Sequence, residues 1–314
     1  MAELITSVNS APSITVSELM ADPTFIPSRV VEGLQGQLLE ELFFRQAEPN
    51  KGTVAFREAV APYLADDAED IAEFGEIPVS VPEMGPLQAA FGIKTGEAIR
   101  ISWEMRNENR VDAVQTHLDA LQKTVIRSGV KAVVNAFTAA NIPTLAASAK
   151  WVGGEPDKDV LDAVEIVQSA NDGSVDRQFD YDPNVILLHP SALTKLIRSE
   201  SIQKYYIGNA ALDNPIFQAA DGSNIFGGLR DIELFGQLRV ATSRLIPADT
   251  AYVFESQAAG FISDTMPLTA TPLYSEGGDS QLGGPTMSWR SDLVRKRAIA
   301  VDNPKAVVKI TGIA

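Results

Sequence analysis

The stretch that decides the architecture is residues 107–141, NENRVDAVQTHLDALQKTVIRSGVKAVVNAFTAAN. Val111, Val114, Leu118, Leu121 and Val125 recur at spacings of 3, 4, 3 and 4; after one offset, Val130, Val133, Phe137 and Ala140 repeat 3, 4 and 3. Such spacing lays a narrow apolar stripe along one face of a helix. Acids gather early (Glu104, Glu108, Asp112) and bases late (Lys123, Arg127, Lys131), the order the helix dipole favours. Ile142-Pro143 ends the run, because a residue before proline avoids the helical region. At a rise of 1.5 Å per residue the helix is roughly 50 Å long, well beyond the usual three to four turns. Gly129 weakens its middle and is the expected bend. A coiled-coil seam would give a similar stripe, but the break at 125–130 favours one helix lying on a sheet.

Upstream, residues 1–50 read as an extended arm, rich in Ser, Thr and Pro, leading into a short amphipathic stretch from Arg29 to Phe44. Residues 53–60 alternate at first and predict a strand; the acids Asp66, Asp67, Glu69, Asp70, Glu73 and Glu76 follow. Ile77, Val79 and Val81, set between Pro78 and Pro82, and then Ile99, Ile101 and Trp103 form two alternating runs. The prolines confine the first run to a sheet edge. The prediction is a long two-stranded hairpin with its turn near 84–90, an element too thin to be stable without a surface to lean on.

Downstream the pattern is mixed α/β. Asp159–Ala170 predicts a helix, Val185–Leu188 a buried strand, and His189-Pro190-Ser191 the start of a helix running to about Tyr206. Gly208–Gly228 reads as an exposed loop. Short strands follow at Ile232–Phe235, Arg239–Ser243 and Thr250–Phe254. Pro267–Tyr274 and Met287–Ala300 are longer strand-like runs joined by a Gly-rich loop, 275–286, and Ala306–Ile310 is a last strand.

The composition narrows the functions available. Of 314 residues, 45% are apolar, enough for one large core or two linked ones. Forty-one acids against 26 bases give a net charge of −15, and the densest basic group is Arg290, Arg295, Lys296 and Arg297. Tight binding to phosphates needs a basic face, so the chain is expected not to grip nucleic acid. With no cysteine, disulfides, thiolate nucleophiles and cysteine zinc sites are excluded. The N-terminus lacks a cationic region followed by an apolar run, and no stretch approaches the ~20 apolar residues of a membrane span. A soluble protein made in the cytoplasm, without a membrane partner, is the expectation.

The order of these elements resembles the tailed-phage major capsid proteins, those of the Hong Kong ninety-seven type fold. Ile101-Ser102-Trp103-Glu104-Met105 looks like that family's strand-to-spine junction. Leu238–Pro247 is similar to its apolar-strand, Ser, Leu-Pro signature, and Arg295–Ala298 with Asp302–Val308 to its basic strand followed by Pro-Ala-Val-Val. The resemblance covers roughly 40–314 and lacks the helical scaffolding segment of about a hundred residues that many relatives carry at the front. It implies an α+β fold: an N-terminal arm and short helix (1–50), an E-loop hairpin with a flanking strand (51–105) and a spine helix of the peripheral domain (106–148). An axial α/β domain (149–260) and a return to the peripheral sheet (261–314) complete it. It further implies a major head protein that assembles through pentamers and hexamers into an icosahedral shell around phage double-stranded DNA. The virion is then its location, after assembly in the host bacterial cytoplasm. Its partners are copies of itself, with a separate scaffolding protein, a portal and decoration proteins as further candidates.

On that resemblance the hairpin 74–103 overlaps an adjacent subunit through Phe91, Ile93 and Trp103, and the tip 275–286, with Gly277 and Gly284, meets its counterparts at three-fold contacts. Gly129 is where the spine flexes during expansion. Some relatives cross-link a hairpin Lys to an Asn; Lys94 is the only hairpin lysine here and Asn303 a conceivable partner, though the sequence places no carboxylate base. No cofactor motif or catalytic constellation is present: no Walker loop, no Gly-x-Ser-x-Gly, no His-Glu-x-x-His, and only His117 and His189, read as packed or capping. The acids of 66–76 lack EF-hand spacing and read as a solvated loop. Two rivals stand beside the capsid reading: an encapsulin-type nanocompartment shell protein, and an α/β enzyme or binding domain in 150–260.

Overall fold

The computed structural model describes residues 15–34, 38–64, 66, 68–71, 73–173, 176–202, 217–219, 232–235, 237–277 and 284–314. The first helices are α1 (Val16–Ala21), α2 (Phe25–Leu34) and α3 (Glu40–Phe43), the last running straight into β1 (Phe44–Gln46). Then come β2 (Thr53–Arg57), β3 (Leu87–Phe91), β4 (Ile93–Ser102), α4 (Trp103–Asn107) and the long α5 (Val111–Ala139). A mixed region follows: β5 (Thr144–Ala146), α6 (Pro156–Gln168), β6 (Val185–Leu188), α7 (Pro190–Arg198), β7 (Phe217–Ala219), β8 (Ile232–Leu234), β9 (Leu238–Thr242) and β10 (Thr250–Phe254). The chain closes with β11 (Gly260–Ala270), β12 (Tyr274–Ser275), β13 (Ser288–Ala300) and β14 (Val307–Thr311).

Two sheets and a ribbon result. The larger sheet has the order β5-β14-β10-β6-β9-β8-β7; the smaller runs β1-β11-β13-β12, with β4 also on β13; β2 and β3 pair only with each other. All four residues of β6 are buried because the strand is central and covered on both faces. Ile186 and Leu188 join the cluster under α6 and α7, with Trp151, Val160, Val164 and Leu196. Val185 and Leu187 face the opposite cluster, with Phe43, Phe137 and Phe254. Trp151 is fully buried, and its indole N–H donates to Asp159, whose other oxygen takes the Ser148 N–H.

The long helix does not serve one core. Val114, Leu118 and Leu121 pack on Ile99, Ile101 and Leu293 of the smaller sheet, together with Ile26, Val30 and Leu34 of α2. Val130, Val133 and Phe137 pack on the larger sheet. The phase offset at 125–130 is where the stripe changes partner, so the apolar face rotates to follow a new surface. A helix on sheets, not a coiled-coil seam, is what the pattern encodes. The helix is 29 residues long, about 43 Å at 1.5 Å per residue. It is shorter than the spacing predicts because Asn109 (φ 52°) and Asn141 (φ 51°) take the left-handed conformation at either end. The early acids Glu104 and Glu108 therefore lie in and just after α4, not in the spine.

Gly129 also has a packing reason to be glycine. Its α-carbon faces the buried Glu40 carboxylate: a Cβ there would lie 3.3 Å from Glu40 Oε2 and 3.7 Å from Arg297 Nη2. Arg295 Nη1 and Arg297 Nη1 both donate to Glu40 Oε1, and Arg295 Nε donates to Asp264 Oδ1 at 3.0 Å. One carboxylate from α3 thus ties two arginines of β13 beneath the spine, at the level where the spine changes sheets.

Several expectations are corrected. The hairpin is β2 with β3, not 77–81 with 99–103: Thr53 pairs with Phe91 and Arg57 with Leu87, whereas β4 pairs with β13 from Ile93–Arg297 to Ser102–Ser288. Residues 77–81 form no strand; three prolines (Pro78, Pro82, Pro86) remove ladder donors there, while the expected turn at 84–90 is largely strand β3. Trp103 opens α4, with the Ser102 hydroxyl capping it through Met105 N–H. The last strand belongs to the larger sheet, parallel to β5 and antiparallel to β10, and does not join the sheet of β11 and β13. Of Gly208–Gly228 only β7 is described, and it is strand; the rest of that loop, the arm before residue 15 and the helix end beyond 202 lie outside the described residues.

Replacing Glu40 by Gln leaves Arg297 buried without its counter-charge and is expected to lower unfolding free energy by about 3–5 kcal/mol. Gly129→Ala should fail to deliver the ~1 kcal/mol that Ala normally gains over Gly inside a helix, because the carboxylate it meets is held by two arginines and cannot yield. Denaturant titration checks both; a stabilised Gly129→Ala protein would remove the packing argument.

Candidate assembly interface

The ribbon β2–β3 is held against the body at both ends, at its root beside Thr53 and Phe91 and at its outer end beside Arg57 and Leu87, where the excursion begins. Phe56 meets the Phe261 ring edge-on at 5.9 Å, the Ala59 N–H donates to the Asp302 carbonyl at 2.8 Å, and the Gly92 N–H to the Gly52 carbonyl at 2.8 Å. Glycine is needed at 92 because a Cβ would stand 3.0 Å from that carbonyl and 3.1 Å from Thr265 Oγ1. Beyond the ribbon, residues 58–86 form a long excursion closed by a bridge between Leu64 and Pro82 and touching the body through Glu83 and Arg177, 2.7 Å apart.

This excursion is poorly covered by its own chain. Of the seventeen exposed large apolar residues among the described ones, eleven lie between Tyr63 and Ile93, with Phe74 at 98% and Val79 at 92% exposure. Scattered surface apolar residues are normal, but a contiguous set marks a binding surface.

The residues expected at contacts are distributed as follows. Phe91 and Ile93 are exposed on either side of Gly92 at the ribbon root, and Lys94 is exposed beside them. Trp103 is half-buried, with its N–H on the Met287 carbonyl at 2.8 Å. Gly129 is buried, with same-chain neighbours. Gly277 (φ 96°) and Gly284 (φ 76°) flank the turn between β12 and β13, whose middle, 278–283, lies outside the described residues. Asn303 donates to the Ala258 carbonyl at 2.8 Å. His189 caps α7 by accepting the Ser191 N–H; His117 is exposed on α5.

Three of the four residues of the densest basic group are paired within the chain, Arg290 with Asp292 and Glu276, Arg295 with Glu40 and Asp264, and Arg297 with Glu40, whereas Lys296 has no ion-pair partner among the described residues. Among the described residues, no acidic or histidine cluster could hold a metal ion, and no helix is long and apolar enough to cross a membrane.

Asp302, beside Ala59 at the outer end of the ribbon, is a residue the sequence did not single out. It accepts from Arg45 through Oδ2, while Oδ1 is buried without a partner. Burial pushes its carboxyl above the ordinary range, against the pull of Arg45 and two backbone N–H groups. Asp302 and Glu255, after burial itself, push the nearby Tyr181 phenol up as well. The only sequence signal was an acid between two apolar strands.

With this geometry in place, solved structures show which fold the chain shares. The fold is shared with structures from Mycobacterium phage Bobi (14% identity, 88% of this chain and 89% of that one, TM-score 0.55) and Gordonia phage Cozz (14%, 90% and 85%, 0.57). It is also shared with a virus-like particle from Pyrococcus furiosus (12%, 91% and 97%, 0.54). The chain belongs to the phage capsid protein family, whose model matches residues 88–310. No curated protein sequence matches the chain. The family is one of structural shell proteins, and the fold expectation, an α+β phage capsid fold with a long spine helix, is met.

Asp302→Asn should raise the melting temperature at pH 7 by a few degrees, since it removes a charge that burial disfavours. The folded state holds the Asp302 proton more tightly than the unfolded chain does. The penalty is therefore present above its raised pKa and is relieved as pH falls through it, so the gain of the variant should shrink on acidification. Calorimetry between pH 7 and pH 4 reads this; a variant less stable at pH 7 overturns it.

Proposed function

We propose that this capsid subunit is the major head protein of a tailed phage, closing through pentamers and hexamers into an icosahedral shell around double-stranded DNA. The observation that carries the reading is the ribbon and its excursion, most of whose large apolar side chains are left exposed by the described residues of their own chain. A neighbouring copy covers them, and contacts of that heterologous kind generate rings. Each contact can be weak, because every subunit touches several others.

The same reading assigns the remaining parts. The smaller sheet with the spine forms the peripheral domain, and the larger sheet with α6 and α7 the axial domain around the capsomer centre. The β12–β13 turn, with Gly277 and Gly284, lies at three-fold contacts, and Trp103 stands beside the ribbon's seat. The acidic balance and the internal pairing of the arginines leave packed DNA free to move out, since the inner surface offers few cations for counterion release. Assembly in the host cytoplasm, with separate scaffolding, portal and decoration proteins, completes the proposal.

A compartment enclosing a protein cargo is the second reading, favoured by the likeness to the Pyrococcus furiosus particle. The content of particles purified from their natural source separates the two: DNA supports the head protein, a protein cargo without DNA the compartment.

Replacing residues 58–86 by Asn-Gly joins Arg57 to Leu87 through a two-residue turn matched to their pairing. The shortened protein should remain folded, with its melting temperature within about 5 °C of the parent, yet give no shells by electron microscopy. Normal particles from it would refute the role given to the ribbon.

A further inference from the structure

The charges on the ribbon are sorted by position. Residues 58–86 contain eight acids (Glu58, Asp66, Asp67, Glu69, Asp70, Glu73, Glu76, Glu83) and no Lys or Arg, so this segment carries −8 of the chain's −15. Glu83 is answered by Arg177, whereas Glu69, Asp70, Glu73 and Glu76 are exposed and have no ion-pair partner among the described residues.

The root carries the opposite sign. Lys94 of β4 and Lys296 of β13 stand directly opposite each other in the ladder, and Met266 of β11 sits next to Lys296 on its other side. Lys296 Nζ would lie 3.5 Å from a Cβ on Gly52, next to the exposed Lys51. None of these three lysines has an ion-pair partner among the described residues. Like charges directly opposite in an antiparallel pair are destabilising, and here no acid among the described residues pairs with them. Exposed apolar groups accompany both ends: Phe74 and Val79 at the tip, Ile93 and Met266 at the root.

We propose that the acidic tip of one copy docks on the Lys51–Lys94–Lys296 patch at the ribbon root of the next. The occupant is a second copy because the missing charge and the missing cover are both supplied by this chain's own tip. The five-pair ribbon, about 17 Å long at 3.4 Å per residue, separates a tip from its own root. The contact is therefore head to tail, and repeating it carries the chain of contacts around a ring. This rests on the shell reading above and adds the residues that steer it. Charge steers docking and rejects wrong registers, while the apolar groups hold it.

The natural absence of cysteine makes the test direct. A full-length chain carrying Asp70→Cys and Lys94→Cys, assembled at low salt and mildly oxidised, should give a ladder of disulfide-linked oligomers on a non-reducing gel. A chain with Asp70→Cys and His117→Cys should give at least about tenfold less. Lys94→Glu with Lys296→Glu should lower particle yield by about tenfold or more, and adding Asp70→Lys with Glu73→Lys should restore it. Particles by electron microscopy without the ladder overturn the docking while leaving the shell reading intact. Neither particles nor ladder at any concentration overturns both.

Discussion

Glu40 is the point on which the rest of the molecule turns. Its carboxylate, buried under the spine, is the common acceptor for Arg295 and Arg297 of β13, and Arg295 reaches on to Asp264 of β11. One short helix near the N-terminus, the middle of the spine and two strands near the C-terminus are thereby held at a single level. Charges can occupy such a place only if their partners are fixed, because an unpaired ion there costs several kcal/mol. The site has little slack: Glu40 Oε2 is buried without a hydrogen bond, and any side chain at position 129 would press on it. A hydrophobic cluster could fill the same volume, but it would tolerate sliding of the helix along the sheets. Ion pairs with fixed geometry do not, so the level at which one helix passes from the smaller sheet to the larger is set.

Much of this was legible in the sequence where a single periodicity governs burial. The spine's stripe, the all-buried Val185–Leu188 strand, the helix started at Pro190 and the long strand 288–300 follow from local pattern, while the helix read from Asp159 in fact starts three residues earlier at Pro156. Errors arose where pairing, not propensity, decides. Alternation at 77–81 and at 99–103 suggested two partners, yet alternation says only that a strand has two unlike faces. The partner of β4 is nearly two hundred residues away, and 77–81 has no partner because its prolines withhold donors. The offset at 125–130 was visible but its meaning was not. A stripe that shifts phase can mark a bend or a change of packing surface, and only the positions of both sheets distinguish these.

The contact residues were legible to a lesser degree, for a related reason. Phe91, Ile93 and Lys94 are exposed as a contact role needs, whereas the packing of Gly129 on Glu40 was not legible because glycine in a helix suggests a bend and Glu40 is 89 positions away. The Arg290–Arg297 group looked like the basic face of the protein. In fact alternate residues of β13 point to opposite sides, so Arg295 and Arg297 face the interior and Lys296 the surface. A one-residue step in a strand separates a structural cation from one available to a partner.

That alternation explains how one strand can serve both the fold and assembly. The inward arginines neutralise Glu40 and Asp264 and thereby fix the subunit's shape; the outward lysine, placed between them in sequence, keeps its charge for the surface. If assembly were driven by apolar area alone, the ribbon's exposed side chains would bind in many registers, since hydrophobic contact has no direction. On the docking proposed above, a sign at each end of the ribbon leaves one register in which both apolar groups are covered and both charges are met. The attraction can stay modest, because closure multiplies it over every subunit in the ring. A stronger contact would trap wrongly joined copies before a ring could close.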